Sequence, residues 1–361
     1  MPQVHANTSN TMTRIVIIGG GTAGITTAQV LAKKLKSSDN TEVVLIEKNA
    51  YFYHAVGAPR AFVDASYTKK MFVPAALLRL CTLNTSCSPW AARTPRQSSK
   101  TASTTLDQPP RLNYKRSHIE NAENIVVVGG GAVGCELAAE IKFKYPRKSV
   151  TIIEAHNKLI AGSNLNDKFY KRLTASLDKL GVTVMLGERL AERLNGNGLE
   201  KRTLRTDKGT EVESDIQLLC GGFSPAAALV RDFDPSLVTN RGAVKVNENL
   251  QLEGEKCRHI FALGDVSNHP APKLAFIAGE QGRFLATELV AVIQKKQMGF
   301  NKPFKAPGTA AMLLPLGPSG GVSQLPLLGG IVVGNRLTRM IKARDFFAGM
   351  VWSSLGATAP K

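Results

Sequence analysis

Residues 15–24 have the sequence IVIIGGGTAG, and residues 125–134 repeat the pattern as IVVVGGGAVG. Each stretch joins a branched apolar run, which favours a buried β-strand, to three glycines spaced Gly-x-Gly-x-x-Gly. In this motif the first glycine allows a tight turn, the second lets the backbone approach a pyrophosphate, and the third lets the helix pack on the strand. The repeated pattern predicts two dinucleotide-binding βαβ units of an α/β fold.

Each glycine motif is followed by a glutamate at the end of a second strand-like run. Glu47 lies 23 residues after Gly24, and Glu154 lies 20 residues after Gly134. A carboxylate at this place accepts hydrogen bonds from ribose hydroxyls. Glycine-rich turns also occur for purely structural reasons, but strand, glycines, helix and acid agree here twice. Two such sites are typical of a flavoprotein in which hydride passes from a nicotinamide to a flavin.

The length and charge of the chain agree with this interpretation but do not identify the ligand. The chain has 361 residues, with 46 Lys and Arg against 28 Asp and Glu and a net charge of +18. Its length suits two or three domains. The basic excess suits an anionic cofactor, an anionic lipid surface or a nucleic acid, and charge alone does not choose among them.

The cellular compartment and the presence of a metal site are predicted from which sequence motifs are missing. No segment has the pattern of a signal peptide or a membrane-spanning helix. The five cysteines are odd in number and form no Cys-x-x-Cys pair, and the six histidines have no metal-ligand spacing. We expect an intracellular, cytoplasmic protein without a metal site or a redox disulfide. Contact with a mitochondrial or other membrane surface and the oligomeric state stay open.

The sequence after the second glycine motif predicts a compact nicotinamide-binding domain over residues 119–240. The predicted elements are a helix at 134–144, a strand ending at Glu154, a helix at 167–180, a strand at 182–186, a hairpin at 202–213 and a buried strand at 215–222. Asp207-Lys208-Gly209 indicates the turn of the hairpin.

A further stretch, Ile260-Phe261-Ala262-Leu263-Gly264-Asp265, follows this domain. A strand ending in Gly-Asp resembles the second flavin motif of two-dinucleotide flavoproteins, in which the aspartate bonds the ribitol or ribose side of FAD. The structural alternative is an aspartate that caps the next helix, and the two roles are compatible. We predict an FAD domain split into residues 13–118 and 241–300, with a flexible tail at 1–12 and a C-terminal segment at 301–361.

Several stretches taken together resemble one protein family. They are residues 52–60 (FYHAVGAPR), 129–141, 206–211 (TDKGTE), 218–222 (LLCGG), 261–279, 320–324 and 342–346. The chain is similar there to the pyridine-nucleotide flavoproteins of the apoptosis-inducing-factor-like, mitochondrion-associated group and, more distantly, to type II NADH dehydrogenases. The resemblance implies two Rossmann-like domains and an FAD-dependent NAD(P)H oxidoreductase. Such an enzyme passes hydride from NADH to FAD and on to an acceptor, for which the resemblance favours a quinone.

The resemblance also implies which residues bind the cofactors. FAD would be held by Gly19, Gly20, Gly21, Thr22, Ala23, Gly24, Glu47, Lys48, Arg60, Gly264 and Asp265. NADH, with NADPH as the alternative, would be held by Gly129, Gly131, Gly134 and Glu154. Because a carboxylate at the adenosine ribose would repel a 2′-phosphate, Glu154 predicts a preference for NADH.

Two charged residues are candidates for a catalytic role. By resemblance, Glu136 and Lys273 fall near the flavin and nicotinamide rings. A cation at the place of Lys273 would stabilise negative charge on the reduced flavin. An equally favoured interpretation is that the Glu136 carboxylate has a structural role, in which its negative charge stabilises the positive N-terminal end of its helix.

Residues 75–116 depart from the family pattern. Relatives have a hairpin there and a strand ending in Ala-Thr-Gly, whereas 15 of these 42 residues are Ser, Thr or Pro, with seven basic residues and Asp107 as the one acid. This composition predicts a loop or a disordered segment. Altered coding sequence and a lineage-specific insertion are both compatible with it.

The departure at residues 75–116 and the positive net charge of the chain leave two alternative functions open. A non-catalytic or flavin-deficient family member is one alternative, and a nucleic-acid-binding apoptosis-inducing-factor-like protein is another, although nucleic acid is not the favoured partner. The apolar run at residues 346–352 fits a packed terminal helix better than a surface facing lipid or a quinone entry.

Overall fold

The structure is a computed structural model that describes residues 12–77, 109–300, 302–307, 311–327 and 329–360. The described residues form two compact units. Of the described residues, unit 1 comprises those within 12–52, 74–77 and 224–306, and unit 2 comprises those within 53–73, 109–223 and 307–360. The predicted domain boundaries stay a prediction, and in the structure residues 53–73 group with the second glycine motif.

Strands and helices alternate through most of the described chain. The strands are β1 (Thr13–Ile18), β2 (Thr41–Ile46), β3 (Tyr51–Tyr53), β4 (Phe72–Pro74), β5 (Asn124–Val128), β6 (Ser149–Glu154), β7 (Val182–Leu186), β8 (Arg202–Arg205), β9 (Glu211–Ser214), β10 (Ile216–Leu219), β11 (Met312–Pro315), β12 (Gly321–Leu325) and β13 (Ile331–Val333). The helices are α1 (Thr22–Lys34), α2 (Ala58–Ala61), α3 (Thr68–Met71), α4 (Pro109–Asn121), α5 (Ala132–Lys144), α6 (Asp167–Leu180), α7 (Ala228–Phe233), α8 (Ala275–Ile293), α9 (Asn335–Thr338) and α10 (Ala348–Ser354).

Unit 2 is built around a four-stranded parallel sheet in the order β10-β5-β6-β7. The sheet is buried at its centre: Ile125, Val126 and Val127 of β5 are each about 1% exposed or less. Such burial on both faces explains why the strand has a continuous apolar run rather than an alternating one. Helix α5 connects β5 to β6 and helix α6 connects β6 to β7, which makes this part a doubly wound α/β fold. The elements predicted after the second glycine motif are all present.

The C-terminal part of unit 2 adds an antiparallel sheet, β11-β12-β13, and the short helix α10. Phe346, Ala348 and Trp352 are buried, and the Trp352 indole nitrogen donates a hydrogen bond to the Lys70 carbonyl at 2.9 Å. The apolar run at 346–352 therefore packs mainly into the interior, as its composition indicated.

Unit 1 holds the first glycine motif on the parallel pair β1-β2. Helix α1 packs closely on helix α8, where a Cβ at Gly282 would lie 2.6 Å from the Ala23 carbonyl oxygen. The glycine therefore sets how near the two helices come. On the other face of the sheet, Val16 and Ile18 are 48% and 65% exposed.

One predicted loop is partly helical. Helix α4 covers the last residues of the segment 75–116, and Leu112 and Arg116 of this helix are buried. The Arg116 guanidinium donates to the Ala61 carbonyl at 2.7 Å, so tertiary contacts hold a helix whose sequence has little amphipathic pattern. Residues 78–108 of that segment, with Cys81 and Cys87, and the tail at 1–11 lie outside the described residues. No helix among the described residues is long and apolar enough to cross a membrane.

Candidate functional site

The second glycine motif forms a tight turn between β5 and α5 in unit 2. Gly129 has φ +111°, a conformation that favours glycine, and a Cβ at Gly134 would lie 2.0 Å from the Gly129 carbonyl oxygen. At Gly131 an added Cβ would meet no atom within 4 Å. Thus Gly129 and Gly134 are needed for the turn itself, whereas Gly131 leaves open space in front of the helix N-terminus.

Glu154, at the end of β6, is hydrogen-bonded to this turn. Its Oε2 accepts a hydrogen bond from the Gly130 N–H at 2.6 Å, and its Oε1 accepts from the His156 N–H at 2.8 Å and from His156 Nδ1 at 2.5 Å. Burial acts to raise the pKa of Glu154, but these hydrogen bonds outweigh burial and lower the pKa. The side chain is therefore an ionised carboxylate fixed beside the glycine turn.

The first glycine motif forms the same turn in unit 1. Gly19 has φ +104°, and a Cβ at Gly24 would lie 2.0 Å from the Gly19 carbonyl oxygen. Glu47 Oε2 accepts from the Gly20 N–H at 2.5 Å, and its Oε1 accepts from the backbone and side-chain nitrogens of Asn49. The two turns hold their carboxylates in the same way. Thr22, Ala23 and Lys48 flank this turn, and Lys48 is exposed.

The strand predicted at residues 260–264 is not present in the structure, where Phe261 forms only an isolated β-bridge with Gln251. Asp265 lies in a single 3-10 turn, Gly264–Val266, and does not cap α8, whose N-cap is Leu274.

The Gly-Asp motif lies in unit 1 and is held by α8. Gly264 has φ +68° and donates its N–H to Gln281 Oε1 at 2.6 Å, and Gln281 is buried. The Lys273 ammonium donates to the carbonyls of Gly264, Ser267 and His269 at 3.4, 2.8 and 2.9 Å. Partial burial lowers the pKa of Lys273, and the Asp265 carboxylate opposes that effect. Lys273 thus stabilises the turn that presents Asp265.

Glu136 is buried in the first part of α5 and pairs with a lysine from the C-terminal segment. The Lys342 ammonium lies 2.8 Å from Glu136 Oε1 and 2.9 Å from the Leu313 carbonyl oxygen. Burial raises the pKa of Glu136, and the Lys342 charge acts in the opposite direction. The predicted catalytic carboxylate therefore has a cationic partner within unit 2.

Arg60 is buried in unit 2, beside the second carboxylate of α5. Its guanidinium donates to both oxygens of Glu140 at 3.0 and 2.7 Å, and to the carbonyls of Ala343 and Arg344. These four hydrogen bonds tie the segment 53–73 to α5 and to the C-terminal segment. The flavin role that the resemblance implies for Arg60 stays a prediction, and Arg60 lies in a different unit from Gly19 and Glu47.

Sequence reasoning missed Lys342, Gln281 and Glu140 as partners of the predicted site residues. Glu136 and Glu140 are one helical turn apart, so the sequence did place two acids on one face of α5. Their cations could not be identified from sequence, because Lys342 is 206 residues from Glu136 and Arg60 is 80 residues from Glu140.

The geometry of both turns fits a dinucleotide. Each has backbone N–H groups at a helix N-terminus, an open middle glycine and a fixed carboxylate where the ribose would lie. Cys135 and Cys220 lie near the second turn, and burial raises the pKa of both thiols, that of Cys220 to about 12. The described part of the chain contains no group of His, Cys, Asp and Glu side chains that could hold a metal ion.

Comparison with known proteins defines the class. Residues 85–282 match the family model of pyridine nucleotide-disulphide oxidoreductases, and residues 14–66 match a model described as tryptophan halogenase. The first match covers more than half of the chain. The chain belongs to the pyridine nucleotide-disulphide oxidoreductase family.

Two relatives and one solved structure are similar over nearly the whole chain. Human ferroptosis suppressor protein 1 is 30% identical over 96% of this chain and 96% of its own, and apoptosis-inducing factor homolog B of Dictyostelium discoideum is 27% identical over 96% and 98%. The sulfide:quinone oxidoreductase of Aquifex aeolicus has a TM-score of 0.70 at 14% identity, covering 97% of this chain and 93% of that one, which shows a shared fold.

These findings confirm the predicted fold class, family and reaction class. The protein is a flavin-dependent NAD(P)H oxidoreductase with FAD and NAD(P)H as its cofactors. The roles of the individual site residues stay predictions.

Proposed function

We propose that the protein oxidises NADH in preference to NADPH and passes the electrons through FAD to a quinone. The observation that carries the cofactor preference is the fixed carboxylate of Glu154, held by Gly130 and His156 beside the second glycine turn. An ionised carboxylate can accept the hydroxyls of an adenosine ribose. It repels a phosphate at the 2′ position.

The residues of unit 1 would hold the flavin. The N–H groups of the turn at Gly19–Gly21 and the N-terminus of α1 favour a pyrophosphate, and the Glu47 carboxylate would accept hydrogen bonds from the ribose hydroxyls. Asp265 stands on a turn that Gln281 and Lys273 hold in place. FAD, when bound, supplies the two-electron carrier between the nicotinamide and the acceptor.

The acceptor is proposed to be a small molecule, because the described cysteines do not favour thiol chemistry. Cys135, Cys220 and Cys257 are free thiols, and the first two have raised pKa values, which disfavours the reactive thiolate. A quinone is favoured because the fold is shared with a sulfide:quinone oxidoreductase. Contact with a membrane surface stays open.

The test is spectroscopic. The purified chain should show the visible absorption of a bound flavin, NADH added without oxygen should bleach that absorption, and a soluble quinone should restore it. Loss of flavin absorption from the purified chain, or a flavin that NADH does not bleach, would contradict the proposed reaction. Bleaching without recovery on addition of quinone would contradict the acceptor alone.

The cofactor preference has a separate test in the variant Glu154→Ser. Removal of the carboxylate should lower the ratio of kcat/KM for NADH over NADPH by about tenfold, because it removes a charge repulsion of roughly 1.4 kcal/mol. The control is Glu211→Ser, which removes an exposed acid of the same unit. Equal values of kcat/KM for NADH and NADPH in the unaltered protein would contradict the proposed preference.

A further inference from the structure

The turn that carries Asp265 is held from both sides by side chains of unit 1. The Gly264 N–H donates to Gln281 Oε1 at 2.6 Å, and the Gly264 carbonyl accepts from the Lys273 ammonium at 3.4 Å. Gln281 is 1% exposed, so its hydrogen bond is shielded from water. Because Gly264 has φ +68°, the backbone here has a conformation that glycine adopts most readily. The two side chains thus bind the peptide groups on either side of this glycine.

The Lys273 ammonium uses all of its hydrogens within the same stretch of backbone. An ammonium has three hydrogens and accepts none. Besides Gly264, it donates to the carbonyls of Ser267 and His269 at 2.8 and 2.9 Å. Three carbonyl oxygens of residues 264–269 therefore take the three hydrogens. No hydrogen is left for a flavin ring unless one of these bonds breaks.

The carboxylate that the turn carries is not used in this way. Among the described residues, Asp265 forms neither a hydrogen bond nor an ion pair through its side chain. The turn lies against the first glycine motif, since a Cβ on Gly264 would stand 3.4 Å from Ala278 Cβ and 3.8 Å from Ala23 Cβ. An acceptor without a protein partner therefore stands beside the turn to which we assign the FAD pyrophosphate.

We propose that Gln281 and Lys273 are positioning residues for FAD, which hold the Asp265 turn in place without contacting the flavin. This inference rests on the proposed binding of FAD in unit 1. A turn that is already fixed binds its ligand without the cost of being ordered. Removing either side chain leaves a peptide group of Gly264 without its partner, so the turn loses its fixed conformation and FAD binds more weakly.

The test measures FAD binding and the reduction potential of the bound flavin. Dilution of the flavin-loaded full chain releases FAD, and the fluorescence of the released FAD gives the dissociation constant. Gln281→Met and Lys273→Met should each raise Kd about tenfold. The double variant should also raise Kd about tenfold rather than a hundredfold, because both side chains act on one turn. The flavin potential should change no more in Lys273→Met than in Gln281→Met.

A conservative variant and a control complete the test. Gln281→Glu keeps an oxygen for the Gly264 N–H and should bind FAD more tightly than Gln281→Met does. Lys295→Met removes an exposed cation just beyond α8 and should leave Kd unchanged. Circular dichroism reports whether each variant folds, and Lys273→Met, at a half-buried position, carries the test alone should Gln281→Met fail to fold.

Three results would overturn the inference and leave the proposed function intact. They are additive losses of affinity in the double variant, equal losses in Gln281→Glu and Gln281→Met, and a lowered flavin potential in Lys273→Met at unchanged Kd. The last of these would show that Lys273 acts on the reduced flavin directly. Failure of the unaltered protein to bind FAD would overturn the proposed function and this inference together.

Discussion

At the scale of single residues, helix α5 has two buried carboxylates one turn apart, and each is neutralised by a cation from another part of unit 2. Glu136 and Glu140 are 4% and 2% exposed, and they pair with Lys342 and Arg60. The ring of Phe346 lies 4.8 Å from the Arg60 guanidinium and 5.5 Å from the Lys342 ammonium. Because buried ions are costly without partners, these contacts couple α5 to the C-terminal segment.

Removing one member of the Arg60–Glu140 pair should destabilise the protein strongly. Arg60→Ala leaves the Glu140 carboxylate buried without a cation, and we expect the free energy of unfolding to fall by about 3–5 kcal/mol. Chemical denaturation of the whole protein measures this loss. The exposed pair Arg14–Glu42 provides the comparison, since Arg14→Ala should change stability by less than about 1 kcal/mol.

The double variant Arg60→Ala with Glu140→Ala tests the reason for that loss. It should be less destabilised than the sum of the single variants, because no charge is left buried and unpaired. Additive losses would show that the arginine acts by packing rather than by charge.

The Glu136–Lys342 pair predicts a pH effect. In Lys342→Met the counter-charge is lost, so the pKa of Glu136, already raised by burial, should rise further above the ordinary glutamate value of 4.5. The folded state then holds a proton that the unfolded state has released. Stability relative to the unaltered protein should fall as pH rises from 5 to 8, by up to about 1.4 kcal/mol per pH unit until the raised pKa is passed.

Denaturation at several pH values checks this direction. Adding Glu136→Gln to Lys342→Met removes the titrating group and should abolish the extra pH dependence. A pH dependence that persists in the double variant would assign the effect to another group.

At the scale of elements, the second glycine turn predicts different results for substitutions at its second and third glycines. Gly134→Ala forces a Cβ into the Gly129 carbonyl, so it should disturb the turn and destabilise unit 2. Gly131→Ala has open space and an ordinary backbone conformation, so the fold should be kept while the added methyl group hinders the pyrophosphate. Denaturation and NAD⁺ binding measured on both variants separate the two roles. Gly131→Ala with unchanged NAD⁺ affinity would contradict the placement of the nucleotide.

At the scale of the whole molecule, the last helix is part of the core of unit 2. Trp352 is 5% exposed, and its ring nitrogen is bonded to the Lys70 carbonyl. Trp352→Ala should lower the free energy of unfolding by about 3–5 kcal/mol. The matched control is Met350→Ala on the same helix, where the side chain is 62% exposed and the loss should stay below about 1 kcal/mol. Equal effects in chemical denaturation would show that α10 does not pack as described.

Most elements could be predicted from the sequence because their signals are local. The glycine motif, the branched strands and the turn at Asp207-Lys208-Gly209 lie within short windows, and β5, α5, β6, α6, β7 and the β8–β9 hairpin follow them closely. Helix α4 was missed because its sequence lacks amphipathic periodicity and its stability comes from contacts such as that between Arg116 and Ala61.

By itself the sequence determined that the chain contains two glycine turns with a carboxylate beside each, since strand, turn, helix and acid are fixed by local chemistry. Tertiary structure alone decided that β5 is buried while Val16 and Ile18 of the similar strand β1 are exposed, and that Lys342 and Arg60 neutralise the acids of α5. The reason is that burial and ion pairing depend on which distant segments pack together. In this chain the paired charges are 80 and 206 residues apart.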